Sequence, residues 1–322
     1  MSKMNLFLLG GAGANIGNQF LKQNGRKEDG YTDIVTYFVD TSRSNLSKDI
    51  PEENVYLFEG LDGSGKKRDS NYKTISESTQ DILHRFKPAD INVVVCSCGG
   101  GSGSVLGPII VSELLNRGEA VVVILIGSTG SKIETENTLK TLKSYDVISN
   151  KREMPVVAFY RENSADKTRS QVDTEVKTAI VMLAAIFSGD NRELDSSDLK
   201  NFLNYPKVTS YKPCLSQMDF FSGKIGLNKG EVPYSLVSLI DNDTHADVDI
   251  PVEYQAVGFL SEAAAKGMNF ARPIHAIILG GVFHGIVERL NQRLKYFEEN
   301  RKAVIEKPIS GNEDSTDEGL IL

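Results

Sequence analysis

Continuous apolar runs punctuate the first half of the chain, three of the six ending at glycine or aspartate. They are residues 5–9 (NLFLL), 33–39 (DIVTYFV), 54–58 (NVYLF), 91–96 (INVVVC), 120–126 (AVVVILI) and 155–160 (PVVAFY). They do not alternate with polar residues, and most are rich in Val and Ile. That is the pattern of strands buried on both faces of a parallel sheet. Helix-length segments such as 76–86 and 108–117 lie between them. Strand–helix alternation predicts a doubly wound α/β unit over residues 1–172. Residues 173–188 read as a long helix, nearly all apolar after its first turn, of the kind that sits inside a molecule. A linking region, 189–204, follows. Residues 205–282 read as a smaller α+β unit with strands near 236–240, 255–260 and 274–279. Residues 283–307 hold a last helix with an apolar face of Ile286, Leu290, Leu294 and Phe297. Residues 308–322 read as a flexible acidic tail.

Composition narrows the function. At 322 residues, 40% of them hydrophobic, the chain can bury a sizeable core. No apolar run approaches the roughly 20 residues of a membrane span. The opening MSKMNLFLLGGAG breaks at once into glycine and reads as a strand rather than a signal peptide. Three cysteines, two of them Cys96 and Cys98, suit packing in a reducing, cytoplasmic setting rather than a disulfide framework. The net charge of −7 argues against a protein that coats nucleic acid. The histidines His84, His245, His275 and His284 lack metal-ligand spacing, so no protein metal site is expected.

The glycines carry the chemistry. Directly after the first strand comes Gly10-Gly11-Ala12-Gly13-Ala14-Asn15-Ile16-Gly17. Glycine there permits a tight strand-to-helix turn and lets backbone amides approach a phosphate. Read as GxGxxxG, with Asp40 ending the second strand, it also resembles a dinucleotide fingerprint. A corner whose glycines serve packing alone is the plainer alternative. Gly60–Lys67 has P-loop spacing, but Lys67 stands where Ser or Thr must hold Mg²⁺, and no apolar helix follows. A flexible basic loop is the simpler account of it. A second bed, Gly99-Gly100-Gly101-Ser102-Gly103-Ser104, follows the fourth run. Its amides and hydroxyls suit two or more phosphates. Two phosphate loops on one sheet count against a dehydrogenase.

The run GGGSGS resembles the G-G-G-T-G-S signature of the tubulin/FtsZ superfamily, with Ser102 in place of the usual Thr and Val105 where a further glycine is common. In the first loop Gly10, Gly13, Ile16, Gly17 and Phe20 fall at matching positions. The resemblance implies a GTPase domain, a long central helix and a smaller α+β domain, with GTP or GDP and Mg²⁺ as ligands. Gly11, Ala12, Gly13 and Asn15 would then join Gly99–Ser104 around the phosphates. Asp40 and Thr41 would flank the nucleotide and magnesium, and Gly63, Ser64 and Gly65 would sense the γ-phosphate. Glu134, in the loop GSTGSKIETEN, would accept from the ribose. Asn163 and Asp173 would read guanine, although Asp173 could as readily be a helix N-cap.

The same resemblance singles out Leu194-Asp195-Ser196-Ser197-Asp198 as the loop that activates hydrolysis, with Glu193 where an asparagine is usual. Asp173 and Asp195 are 22 residues apart, roughly 30 Å if mostly helical. Asp195 and Asp198 would therefore meet the nucleotide of the next subunit, in a head-to-tail filament. The compact chain and its short acidic tail look most like the phage-encoded tubulins called PhuZ. That implies a dynamic polymer positioning phage DNA in the host cytoplasm. The tail, 310–322, carries Glu313, Asp314, Asp317 and Glu318 and ends in Leu-Ile-Leu, which suits docking on a neighbouring subunit. Two other classes stay open: an NAD-dependent oxidoreductase, and a nucleotide-regulated scaffold in which the paired aspartates are idle. A bulky residue at Gly100 or Gly103 is expected to block GTP and leave the fold intact.

Overall fold

The computed structural model describes residues 3–20, 31–241, 250–262 and 273–305. The tail from 306 onward, His245 and parts of 205–282 lie outside them. The first half runs β1 (Lys3–Leu9), α1 (Gly10–Phe20), β2 (Asp33–Asp40), β3 (Val55–Leu57), α2 (Tyr72–Glu77), α3 (Thr79–Arg85), β4 (Ile91–Ser97), α4 (Gly103–Asn116), β5 (Val121–Ser128), α5 (Lys132–Arg152) and β6 (Val156–Asn163). The second half runs α6 (Arg169–Ile186), β7 (Asn191–Arg192), α7 (Ser196–Leu203), β8 (Leu215–Ser222), β9 (Val232–Ile240), β10 (Tyr254–Leu260), β11 (Ile274–Gly280) and α8 (Val282–Ile305).

The strands form one sheet in the order β3-β2-β1-β4-β5-β6-β8-β11-β9-β10-β7. The pairs from β3 through to β8 are all parallel. Beyond β8 the sheet is mixed, with β11 antiparallel to both β8 and β9. The strands of the second half therefore extend the first sheet, through the pairing of Val156–Ala158 with Leu215–Gln217. The apolar runs sit in the middle of this sheet because both of its faces are covered. Val93 and Val95 of β4 pack into a core shared with α1 and α6. Val94 and Cys96, one residue out of phase, pack into the opposite core with α3, α4, α5 and α8. Continuous Val and Ile runs are what such a two-sided burial requires.

Two helices begin earlier than their sequence pattern suggests. α4 starts at Gly103, inside the second glycine loop, so that Pro108 lies in its interior. Proline has no N–H to give the carbonyl four residues back. That carbonyl, of Ser104, instead accepts from the Arg68 guanidinium at 3.2 Å. α6 starts at Arg169, where Thr168 and Gln171 form a reciprocal capping box. Asp173 is therefore not the N-cap and is free for another task. Buried Cys96 and Cys98 are free thiols, their pKa values pushed up by burial, to about 12 for Cys96. They pack and do not react. His275 bonds Ser238 at 2.7 Å, and among the described residues no group of acids, histidines and cysteines could hold a metal.

At the β1–α1 corner a Cβ on Gly13 would come within 2.7 Å of the Leu8 backbone and 2.9 Å of the Val95 carbonyl. This glycine seats α1 against the sheet. Replacing Gly13 with Ala should destabilise the nucleotide-free protein by about 1–3 kcal/mol, as overpacking does. Thermal denaturation checks it. An unchanged melting temperature would mean that the corner has slack.

Candidate functional site

In a parallel sheet every strand delivers its following loop to the same edge. The loops after β1, β2, β4, β5 and β6 therefore meet over the carboxyl ends of the strands, around the point where the order turns from β1 to β4. A cleft of about 540 Å³ opens there. Two glycine corners form its floor. A Cβ on Gly10 would lie 2.8 Å from the Gly103 amide, and one on Gly103 would lie 3.0 Å from the Leu9 carbonyl. Only glycine lets these backbones nest so closely. The starts of α1 and α4 consequently share one crevice, with unpaired first-turn amides and positive helix ends facing it.

Most of the residues singled out from the sequence line this cleft: Gly11 and Ala12, Asp40, Gly63 and Ser64, the run from Gly99 to Gly103, Glu134, Asn163 and Asp173. The other five of the nucleotide-site candidates do not line it. Gly13 packs on β1, as above. Asn15 donates to Asp173 Oδ2 at 2.8 Å, with Gln19 adding a longer bond at 3.4 Å, so α1 aims that carboxylate. Thr41 is buried and shares a 2.6 Å hydroxyl bond with Ser102, which in turn reaches Ser64 at 3.3 Å. Ser104 closes the turn of the second loop on the Gly101 carbonyl at 2.9 Å. Gly65 adopts a positive φ of 53° in the loop over the phosphate bed.

Several contributors carry no signal in the sequence. Asn45 holds Asp40 Oδ2 at 2.8 Å, while the Thr41 and Ser42 amides hold Oδ1 at 2.7 and 3.3 Å. Burial pushes the Asp40 pKa up despite these donors. Asn137, at the end of the GSTGSKIETEN segment, ties Lys66 to the second loop by bonds to the Lys66 and Gly99 carbonyls at 2.9 and 3.2 Å. Lys66 crosses the cleft to Glu134 at 2.8 Å, whereas Lys67 does not line it. Glu134 is partly desolvated, which raises its pKa, but Lys66 and Ser131 outweigh that and hold it below the usual range. It is therefore a charged acceptor. Arg169 lines the cleft one helical turn before Asp173, a spacing that becomes visible once the start of α6 is fixed.

The polar groups sort along the cleft. Amides and hydroxyls of the glycine loops suit phosphate oxygens at one end. At the other, Asn163 Oδ1 is buried without a hydrogen-bond partner, near the Asp173 carboxylate. Two acceptors in one recess fit a base that presents donors, and guanine presents N1–H and the 2-amino group. An adenine edge fits this set less well. The strand order β3-β2-β1-β4-β5-β6 is shared by dinucleotide-binding folds. Topology alone thus leaves the oxidoreductase alternative standing, and the second glycine loop speaks against it.

Asp195 and Asp198 lie elsewhere, and neither lines the cleft. Asp195 is the N-cap of α7, its Oδ1 accepting from the Ser197 and Asp198 amides at 2.7 and 3.0 Å. Asp198 Oδ2 returns the contact to the Asp195 amide at 3.1 Å. The preceding Glu193 is exposed and adopts a positive φ of 79°. α7 packs over the opposite edge of the sheet, sharing a small pocket with residues 118–121, Met154 and Pro155, where β5 and β6 begin. Asp198 meets Tyr254 at the start of β10, a strand that runs in the same sense as β6, so the acids lie toward the opposite edge of the sheet from the cleft.

Residues 4–151 match the tubulin/FtsZ family, GTPase domain. The whole chain is similar to phage tubulin-like proteins of Pseudomonas phages. It is 28% identical to that of phiKZ over 99% of this chain and 98% of the relative. It is 27% identical to that of PhiPA3 over 99% of both. Among solved structures, the protofilament of TubZ from bacteriophage PhiKZ superposes with a TM-score of 0.83 at 27% identity, covering 98% of this chain and 96% of that one. The phage tubulin PhuZ with GDP shares the fold at 21% identity, with a TM-score of 0.82 and 99% of both chains covered. Residues 4–151 thus match a tubulin/FtsZ GTPase domain, and the chain as a whole has the tubulin/FtsZ fold and resembles the phage tubulins.

The two glycines proposed as probes differ in what they test. A Cβ on Gly103 meets backbone at 3.0–3.2 Å, so Gly103→Val would disturb the fold as well as the ligand, contrary to the expectation from sequence. On Gly100 the nearest atom is 3.6 Å away. Gly100→Val should melt within a few degrees of the parent and lose guanine-nucleotide binding at least about tenfold by titration. Parental affinity would place the phosphates elsewhere.

Proposed function

We propose that this chain binds GTP in the cleft, assembles head to tail with further copies of itself, and hydrolyses GTP when a neighbour's Asp195 and Asp198 reach the γ-phosphate. The observation that carries this reading is the placement of the cleft over the carboxyl ends of the strands and of the acid pair at the other edge of the sheet, where Asp198 meets Tyr254 at the start of β10. A rigid chain cannot bring them together, but a heterologous contact between copies can, and such contacts propagate into filaments. The resemblance to a PhiKZ TubZ protofilament supports it. In hydrolysis a carboxylate takes a proton from water as the water oxygen bonds the γ-phosphorus. The bond to the β-phosphate oxygen breaks, releasing GDP and phosphate. In this reading Asp40, Thr41 and Ser102 would lie beside Mg²⁺, which would supply charge neutralisation. The domain division inferred from the sequence, at 172 and 205, is kept as part of this proposal. So is a role in the host cytoplasm positioning phage DNA. Among the described residues no helix is long and apolar enough to cross a membrane.

One observation favours the idle scaffold as the second reading: the acid pair already has work, as the capping box of α7. Asp195→Asn separates the two, because Asn caps a helix as well as Asp. The fold and GTP binding should persist while turnover falls about 10²–10⁴-fold. Polymers should then accumulate and outlast those of the parent in sedimentation assays. Turnover at the parental rate would leave the scaffold reading in place.

We propose further that the tail docks on a basic, partly apolar surface of a neighbouring copy. A cleft of about 1100 Å³ between α2, α4 and α5 is lined by six cations, Arg68, Lys73, Lys140, Lys143, Lys151 and Arg152, against two acids, Asp69 and Glu113. Tyr72 and Val147 in it are 57% and 61% exposed. Cations around exposed apolar groups suit four acids followed by Leu-Ile-Leu. Deleting residues 311–322 should raise the critical concentration for assembly. Neutralising only the four acids should weaken assembly most at low salt. Unchanged assembly of the truncated chain would remove the tail from the filament.

A further inference from the structure

The α7 capping box is complete without outside help. Asp195 satisfies two first-turn amides and Asp198 satisfies the Asp195 amide. Yet a third group reaches it. Tyr254, the first residue of β10, donates its phenol O–H to Asp198 Oδ1 at 3.0 Å and lies 3.4 Å from the Asp198 carbonyl. The Asp198 carboxylate is thus held at both oxygens, Oδ2 by the main chain of its own loop and Oδ1 by a neighbouring strand. Asp195 differs: it is exposed, both amides fall on its Oδ1, and among the described residues no hydrogen bond reaches its Oδ2. The pair presents one fixed carboxylate and one open oxygen.

We propose that Tyr254 is a positioning residue for GTP hydrolysis, fixing the plane of the Asp198 carboxylate so that exposed Asp195 and half-buried Asp198 present a preset pair to the nucleotide of the next subunit. This rests on the reading of the acids as the hydrolytic pair. The ring has the rigidity for the task, being half-buried against the main core. Its pKa is pushed up to about 12, first by burial and then by Asp198 itself. The neutral phenol is therefore favoured, and at any working pH it is a donor. A carboxylate anchored on two separate elements reaches the interface with little reorganisation left, which is what a water-activating group needs.

The test is Tyr254→Phe in the full chain, which removes one oxygen and leaves the ring packed. Turnover per polymerised subunit should fall about ten- to a hundredfold, as misplaced catalytic groups do. Melting temperature, GTP affinity and critical concentration should stay near those of the parent, a split that a structural role would not give. In an Asp198→Asn background the same change should lower turnover by less than about twofold, because coupled residues are not additive. Asp198→Asn at the parental rate would remove the reading beneath the inference. Impaired Asp198→Asn with parental Tyr254→Phe would overturn the inference alone. Loss of polymer in proportion to loss of turnover would also overturn it, because the phenol would then act on assembly.

Discussion

The contact on which the functional site depends is backbone on backbone. The corner after β1 and the corner after β4 touch through Gly10 and Gly103, at a distance no side chain could tolerate. This contact brings two helix starts into one crevice, and each start carries amides without partners. The remaining walls follow from parallel pairing, which sends the loops after β2, β5 and β6 to the same edge. Asp40 and Asn163, which end β2 and β6, and Glu134 and Asp173, within the first two turns of α5 and α6, thereby face one cleft. The same parallel pairing fixes where they cannot reach. Whatever packs at the starts of β5 and β6 is a strand length away, and α7 packs there.

Most polar residues of both regions have structural contacts before any ligand is considered. Glu134 sits in the first turn of α5 and shares its Oε2 with Ser131, the N-cap. Asp173 is held by Asn15 from α1, and Asp195 caps α7. Thr41, Ser102 and Ser64 form a chain of hydroxyls. Such groups are oriented by the fold, so a ligand or a neighbouring copy meets them already in place. A capping role and a chemical role are compatible here, since the amides occupy one oxygen of Asp195 and leave the other open.

The strands were legible in the sequence because burial on both faces leaves unbroken Val and Ile runs, as in β4 and β5. The glycine loops were legible because phosphate binding and close backbone approach call for the same residue. The start of α4 was not, because glycine is a poor helix former and Pro108 looked like a beginning rather than an interior residue rescued by Arg68. The single continuous sheet was also hidden. It depends on the pairing of β6 with β8, more than fifty residues apart, and on β7, only two residues long. Asn45, Asn137 and Tyr254 were invisible for a related reason. Each acts through a contact set by tertiary packing, and a lone polar residue in a loop or at a strand start carries no periodicity.

The central claim is that one copy supplies the nucleotide site and the next supplies the acids. Mixing tests it most directly. Gly100→Val lacks the nucleotide site and keeps the acids, whereas Asp195→Asn keeps the site and lacks an acid. Each alone should hydrolyse GTP little above background. Mixed in equal amounts at concentrations that support assembly, they should recover turnover, because Gly100→Val subunits present intact acids to GTP held by Asp195→Asn subunits. The phosphate released by the mixture, set against the sum of the separate samples, is the measurement. Recovery well above that sum is the predicted result. A mixture that releases no more than the sum, while both chains enter the same polymer, would contradict hydrolysis across the subunit interface.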